Sequence, residues 1–468
     1  MRWCWLLLLA TFAATFASAE DWPRFRGPEG GGVSGSTGLP VELGPGKNLL
    51  WRVDVPMGRS SPIVVKDRLY LTALEGDTLV TLALDAKTGA ASWRREIPRA
   101  RSTRIYAGNS TATPTAASDG ENLYVFFPDL GLVSFDAAGA ERWRLALGPF
   151  DSFYGISSSP VVHERTLALV CDQPSGAFVL AVDKDTGRVR WRTERKQATT
   201  EGYSTPAVYV PPAGRPQLVV SGTYRVDGYD LESGENLWWI GRQGIYPIGS
   251  PVLFGDMVIA VSEGGDTPAY PAFDAMLKEL DTNKDEWLSP EEWSHHEFKD
   301  HFGWLDADKD ARITRLEWEA RQKESVSEHG ATGSRIGGRG DCTASNLVWR
   351  YKKAFSQLVT PLVYQGVLYL VKDGGIVTTL DPRTGEVLKA ARTVVGIDEY
   401  FASPVAADGK VFLLSHSGKL TVLKAGAQWE VLGSSDLDEA SQATPAIADG
   451  RIYVRTHKAL YAFGGPRP

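Results

Sequence analysis

The chain has 468 residues, 43% of them hydrophobic, enough for a large core or several domains. Glycine (48) and tryptophan (15) are abundant and methionine (4) is scarce, a profile that suits many short strands and tight turns better than helices. The net charge is −7 and no basic stripe stands out, so nucleic acid is not an expected partner.

Residues 1–19 have the form of a cleaved secretory signal: Arg2, an apolar WLLLLATFAATFA run, and a small-residue site at Ala17-Ser18-Ala19. The run is short for a membrane span. Cys4 precedes it and does not read as a lipid-attachment cysteine. The sequence therefore predicts an exported protein, periplasmic or extracellular, and at most peripheral to a membrane. Cys171 and Cys342 fall in strand-like segments of different repeats, which favours two buried free thiols over a disulfide.

Residues 20–47, rich in Gly and Pro, predict an extended arm. Repeats then begin. A Ser-Pro or Thr-Pro opens an apolar strand at Ser61-Pro62, Thr113-Pro114, Ser159-Pro160, Thr205-Pro206, Ser250-Pro251, Thr360-Pro361, Ser403-Pro404 and Thr444-Pro445. The prolines are spaced 52, 46, 46, 45, 110, 43 and 41 residues apart. Four short strands per unit at a period of about 45 is a propeller signature, and eight openings predict an all-β, eight-bladed propeller of antiparallel blades. It would occupy 48–265 and 334–464.

A turn before the fourth strand recurs as LDAKTGAASW (84–93), VDKDTGRVRW (182–191), YDLESGENLW (229–238) and LDPRTGEVLK (380–389). Its Asp and Gly serve a tight hairpin, and the Trp that follows can pack between blades. NLLWRVDVP has a fourth-strand sequence with no blade before it, while the last repeat stops at LYAFGG. Residues 48–55 are thus expected to complete the last blade and close the ring.

The long spacing marks an insertion in blade five, residues 266–333. FDAMLKEL and EEWSHHEFKDHFGWL have helical spacing. Two loops share one pattern: Asp281, Asn283, Asp285, Trp287, Ser289, Glu292, and Asp306, Asp308, Asp310, Arg312, Thr314, Glu317. These are positions 1, 3, 5, 7, 9 and 12 of an EF-hand, where short side-chain oxygens, a position-7 carbonyl and a bidentate Glu suit Ca²⁺. Ca²⁺ is the cofactor this spacing implies. Position 6, usually Gly, is Glu286 and Ala311, which implies strain and weak binding.

Strand order puts the insert on the face of the connections that enter each first strand, with the Asp-x-x-Thr-Gly turns on the other. Those connections carry Tyr106, Tyr154, Tyr203, Tyr246, Phe355 and Tyr400, with Arg101, Arg104, Arg225, Arg339 and Asp398 in or near them. The tyrosines either form an aromatic ligand-binding mouth or pad the seams between blades. P-loop, HExxH and GxSxG motifs are missing from the sequence. His295, His296 and His301 read as a solvated helix, and Arg339-Gly340-Asp341 as a chance tripeptide within the third strand of blade five.

The repeat with its Asp-x-x-Thr-Gly-x-x-x-Trp turn resembles the pyrroloquinoline-quinone (PQQ) family of β-propellers, over roughly 48–264 and 335–464. DWPRFRGP and ATPAIADGRIYVRTHKALYAF resemble its bacterial exported PQQ-binding-like branch. The quinoprotein dehydrogenases of that family use a vicinal Cys-Cys disulfide, which this sequence lacks, so PQQ is not expected. The resemblance points instead to its non-enzymatic side, which includes a propeller lipoprotein of the outer-membrane assembly machinery. The expectation is a monomeric, non-catalytic scaffold for a protein or glycan ligand, with a PQQ-dependent oxidoreductase as the alternative.

Overall fold

The structure is a computed structural model that describes residues 20–465, apart from 104, 175, 196–200, 264–269, 295, 297–301, 307–308, 326–327, 354 and 357. The signal segment, Arg104, His295, His301 and Asp308 thus lie outside the described residues.

Blade three shows how the repeat folds. Four strands, Val161–His163, Thr166–Cys171, Phe178–Asp183 and Val189–Glu194, pair antiparallel in sequence order. Thr166–Cys171, the second strand, is buried throughout, because neighbouring blades cover both of its faces. The fourth strand alternates instead, since it lies at the outer edge and half its side chains reach water.

The described residues form eight such sheets. The predicted propeller is therefore present, and its ring closes as expected. Leu49–Asp54 pairs antiparallel with Ala459–Gly464, so the outer strand of blade eight comes from the opposite end of the chain. Cys171 and Cys342 are buried and free.

Two recurrent bonds join the blades. In the first, the residue opening an inner strand donates its amide to the hydroxyl of its counterpart in the next blade, at every seam but that between blades four and five. The bonds run Ser61 to Thr115, Thr115 to Ser159, Ser159 to Thr205, Ser250 to Thr360, Thr360 to Ser403, Ser403 to Thr444, and Thr444 back to Ser61, at 2.9–3.1 Å. The hydroxyl residue thus fastens the seam as well as opening the strand. In blade two that residue is Thr115, a correction to the predicted Thr113-Pro114: the short inner strand there is Ala117–Ser118.

In the second, the fourth-strand Trp donates its indole N–H to a carbonyl in the next blade's turn. The pairs are Trp51 to Ala86, Trp93 to Ala137, Trp143 to Lys184, Trp191 to Leu231, and Trp349 to Pro382, at 2.9–3.3 Å. The glycine of each receiving turn (Gly89, Gly139, Gly187, Gly234, Gly385) has φ between 71° and 80° and lies against that indole, leaving no room for a Cβ. A bulge beside each of these tryptophans, as between Ala181 and Val182 in blade three, turns the ring toward its neighbour.

The seam between blades four and five lacks both bonds. The Ser250 hydroxyl has no partner among the described residues, and Trp238 bonds Gln217 of its own blade. The indole bond is missing because blade five carries no Asp-x-x-Thr-Gly turn to receive it. Its third strand is Gly330–Arg335, so the insertion ends before residue 333. The chain then runs outward, and Gly340–Asp341 pairs parallel with Trp238–Trp239 as a fifth strand of blade four. The Arg-Gly-Asp tripeptide therefore braces a blade edge, not the predicted third strand. Cys342 N–H to Trp239 and Gly241 N–H to Thr343 Oγ1 complete this substitute clasp.

The arm does more than extend. Trp22 bridges Val64 of blade one, the Ser118 amide of blade two bonds Pro23, and Val33 bridges Ala406 of blade seven. Residues 22–33 thus cross the central channel at the inner strands. Arg26 is fully buried there and donates to the carbonyls of Gly30, Gly31, Pro361 and Pro404. Further on, the Leu43 amide bonds Ser435 in the outer strand of blade seven, and Val41 packs on Gly433 of the same strand.

Candidate functional site: the acidic loop pair and the aromatic face

The described residues of the insertion form four helices, α1 (Phe273–Leu280), α2 (Pro290–Trp293), α3 (Phe302–Leu305) and α4 (Arg315–Ser325). Phe273, Met276, Leu288, Trp293, Leu305, Ile313 and Trp318 form their common core. One acidic loop joins α1 to α2 and the other joins α3 to α4. Leu288 and Ile313 exchange two backbone hydrogen bonds (3.1 and 2.9 Å), so the loops pair through a single antiparallel bridge.

In the first loop Asp281 accepts amides of Lys284 (2.7 Å) and Glu286 (3.1 Å). Asn283 accepts the Asp285 amide, and Asp285 that of Trp287. Glu292 accepts from Thr282 and Ser289 through both oxygens, and Ser289 caps α2 in return. Asp281, Asp285 and Glu292 each place a carboxylate oxygen within 4.8 Å of the others. Partial burial raises the Glu292 pKa, but the Ser289 and Thr282 donors outweigh it and hold the group at about 2.

In the second loop Asp306 is buried. One of its oxygens takes the Ala311 amide (3.0 Å), and the other has no hydrogen-bond partner among the described residues. Thr314 donates its amide and hydroxyl to Glu317 at 2.8 and 2.7 Å. The Arg312 guanidinium stacks over Trp287, 4.6 Å from the ring centroid. Asp310 is exposed. Glu286 (φ 67°) and Ala311 (φ 65°) adopt a left-handed conformation, at about 1–2 kcal/mol each.

The insert leaves blade five between Ser262 and Gly330, on the face of the connections into the first strands. Hydrogen bonds place the second-to-third turns on that face too: Arg99 N–H to Asp77, Gly374 N–H to Asp398 and His457 N–H to Ala440. Glu328, just beyond α4, ion-pairs with Arg242 of blade four and with Arg350 and Lys352 of blade five. It therefore spans the seam that lacks the two regular bonds.

The five predicted tyrosines part company in the structure. Tyr106 and Tyr154 are exposed and meet edge to face at 5.5 Å, with Phe153 completing the cluster at 62% exposure. Tyr203 is buried beneath Tyr154 and donates its hydroxyl to Glu201, which also accepts the amides of Phe153 and Tyr154. Tyr246 is half-buried. Tyr400 is buried, its hydroxyl spent on Gly396. Tyr203 and Tyr400 are therefore corrected from ligand surface to packing, while Tyr106 and Tyr154 remain available. Of the charged residues expected nearby, Arg225 pairs with buried Asp227, and Arg339 with Glu235 at the clasp. Sequence reasoning missed Phe153 and Glu201, because Glu201 acts only through contacts with a neighbouring connection.

Other exposed apolar side chains share this face: Met57 between blades eight and one, and Val394, Val395 and Ile397 between blades six and seven. Val394 is β-branched yet has φ 54°, a strained conformation for such a residue.

The sequence family described as outer membrane protein assembly factor BamB matches residues 41–177 and 305–464, together more than half of the chain. The BamB of Bordetella pertussis (strain Tohama I) is 29% identical over 153 residues, 31% of this chain and 35% of that protein. The match thus spans about a third of that relative's length. BamB from Moraxella catarrhalis superposes with a TM-score of 0.54 at 12% identity, over 89% of this chain and 99% of that one, a likeness of fold. The quinohemoprotein alcohol dehydrogenase of Comamonas testosteroni reaches 0.44 at 13% identity over 97% and 82%, too loose to bear on function. An eight-bladed ring whose repeats match that family through most of their length identifies the chain as a member of the outer membrane protein assembly factor BamB family.

Proposed function

We propose that this chain is an exported, non-catalytic scaffold that docks a protein partner on the face carrying the insertion, with Ca²⁺ held by the two acidic loops ordering that insertion. The observation that carries the docking reading is the exposed, mutually touching cluster of Tyr106, Phe153 and Tyr154, with Met57, Val394 and Ile397 exposed on other connections of the same face. Contiguous exposed apolar and aromatic groups mark protein-interaction surfaces. Membership of a family named for an assembly factor supports a scaffold over an enzyme.

The donor set supports the Ca²⁺ reading. Three carboxylates converge in the first loop, and in the second a buried Asp306 oxygen has no partner among the described residues, a costly arrangement that a hard cation would relieve. Asp281, Asn283, Asp285, Glu292, Asp306, Asp310 and Glu317 would supply side-chain oxygens, and Trp287 and Arg312 backbone carbonyls. An ordered insert would hold Glu328 across the weak seam.

Two experiments test the reading. A photo-crosslinker at position 153 or 154 should trap a protein in the producing cell, and one at Lys87, on the opposite face, should not; equal labelling at both overturns the docking face. Calorimetry should show Ca²⁺ heats for the wild type that vanish in Glu292→Ala/Glu317→Ala, and equal heats for the two remove calcium.

A further inference from the structure

The arm carries two buried arginines, and they differ. Arg26 donates to four backbone carbonyls. Arg24 is 9% exposed, yet its guanidinium makes no hydrogen bond or ion pair among the described residues. A guanidinium presents five donors, and here they are left to the solvent of the cavity that Arg24 lines.

Arg24 lines a cavity of about 300 Å³, at the lower end of the range for small-ligand pockets. The inner strands of blades three, four and five form its walls, through His163, Val208, Tyr209 and Leu253. The arm forms its floor, with Glu29 as the one carboxylate on the lining. Glu29 attracts Arg24 electrostatically, but it is solvent-exposed and forms no ion pair with it. Burial lowers the Arg24 pKa to about 10, so the group stays cationic at neutral pH.

This pocket opens beside Gly255, in the first-to-second turn of blade five, away from the insertion and the aromatic cluster. The proposed docking function does not use it.

We propose that this cavity is a binding site for a small organic carboxylate, whose two oxygens pair with Arg24 and whose apolar body lies against Val208 and Leu253. A planar carboxylate matches the guanidinium fork in a bidentate pair. The lining is mainly polar, and Val208 and Leu253 give it the apolar strip that would favour an aliphatic body over a bare inorganic anion. A free branched-chain acid and a peptide C-terminus share this chemistry.

The test uses calorimetry on the mature chain with isovalerate, N-acetyl-leucine, isovaleramide and inorganic phosphate. The expected result is binding of one or both acids, at least tenfold tighter than the amide. Isovalerate alone assigns a free acid; N-acetyl-leucine alone assigns a chain terminus. Arg24→Met should weaken binding at least tenfold. Val210→Trp, at an exposed position on the lining outside the core, narrows the cavity and leaves the arm intact; it should do the same and stands in if Arg24→Met does not fold. Glu29→Gln should tighten binding about threefold by removing the competing carboxylate. Equal binding of acid and amide, phosphate binding as tightly as isovalerate, unchanged binding in Arg24→Met, or no binding of either acid overturns the proposal.

Discussion

Gly187→Ala tests whether the indole lock holds the blades. Gly187 has φ 71°, and an added Cβ would lie 2.6 Å from Trp143 Cε3 and 2.7 Å from Cδ2. The left-handed backbone costs alanine about 1–2 kcal/mol. Forcing the Trp143 ring aside adds about 1–3 kcal/mol of overpacking, and it strains the 2.9 Å bond from the indole to Lys184. Gly409→Ala is the control: φ is 67°, but nothing lies within 4 Å of the new Cβ, so only the backbone cost of about 1–2 kcal/mol applies. The two variants should therefore differ by about 1–3 kcal/mol. Urea titrations followed by far-UV circular dichroism read this difference. In a Trp143→Ala background it should shrink toward zero, because the ring that clashes is gone. Equal costs for the two glycine variants, or an unchanged difference without Trp143, would refute the lock.

The hydroxyl ring makes a second contrast. Thr444→Val strands the buried Ser403 amide and should cost about 1–3 kcal/mol, whereas Ser250→Ala removes an unpartnered hydroxyl and should be close to neutral in the same titration. His457 should make stability fall in mild acid. Burial, with Arg59, His416 and Arg455 facing the ring, holds its pKa below 6.5. As pH drops below 6.5 the unfolded chain takes up the proton first, so stability is lost from there down to the folded value. His457→Gln should flatten the stability profile over that window, and an unchanged slope would discount His457. If Ca²⁺ orders the insert, it should slow amide exchange of Cys342 and Gly241 at the clasp between blades four and five; no change with calcium would separate insert from seam.

Much of the fold was legible because it is repeated. One strand-and-turn pattern recurs at a near-constant spacing, so each weak local signal is reinforced by the others. The Asp-x-x-Thr-Gly turn reads as a hairpin from chemistry alone: in blade three Asp183 accepts the Thr186 amide and hydroxyl, and Gly187 takes the left-handed position. The acidic loops were legible for the same reason, since alternating oxygens and a closing Glu are local in sequence. Blade two was misread at Thr113-Pro114. There a proline stands two residues early, and only the hydrogen bonds of Thr115 to its neighbours identify the true counterpart.

What the sequence determined by itself was the number of blades, the closing strand, the place of the insertion and the face on which it emerges. All of these follow from spacing and strand order. What only the tertiary structure decided depends on residues far apart in sequence. Tyr106 and Tyr154 remain at the surface while Tyr203 and Tyr400 are buried, because exposure is set by how adjacent connections pack. The seam between blades four and five loses both regular bonds and gains Gly340–Asp341 as a brace. The arm crosses the channel, burying Arg26 against the carbonyls of Pro361 and Pro404 and leaving Arg24 unpaired beside a cavity. No local pattern encodes those contacts, since each joins segments that meet only once the ring has closed.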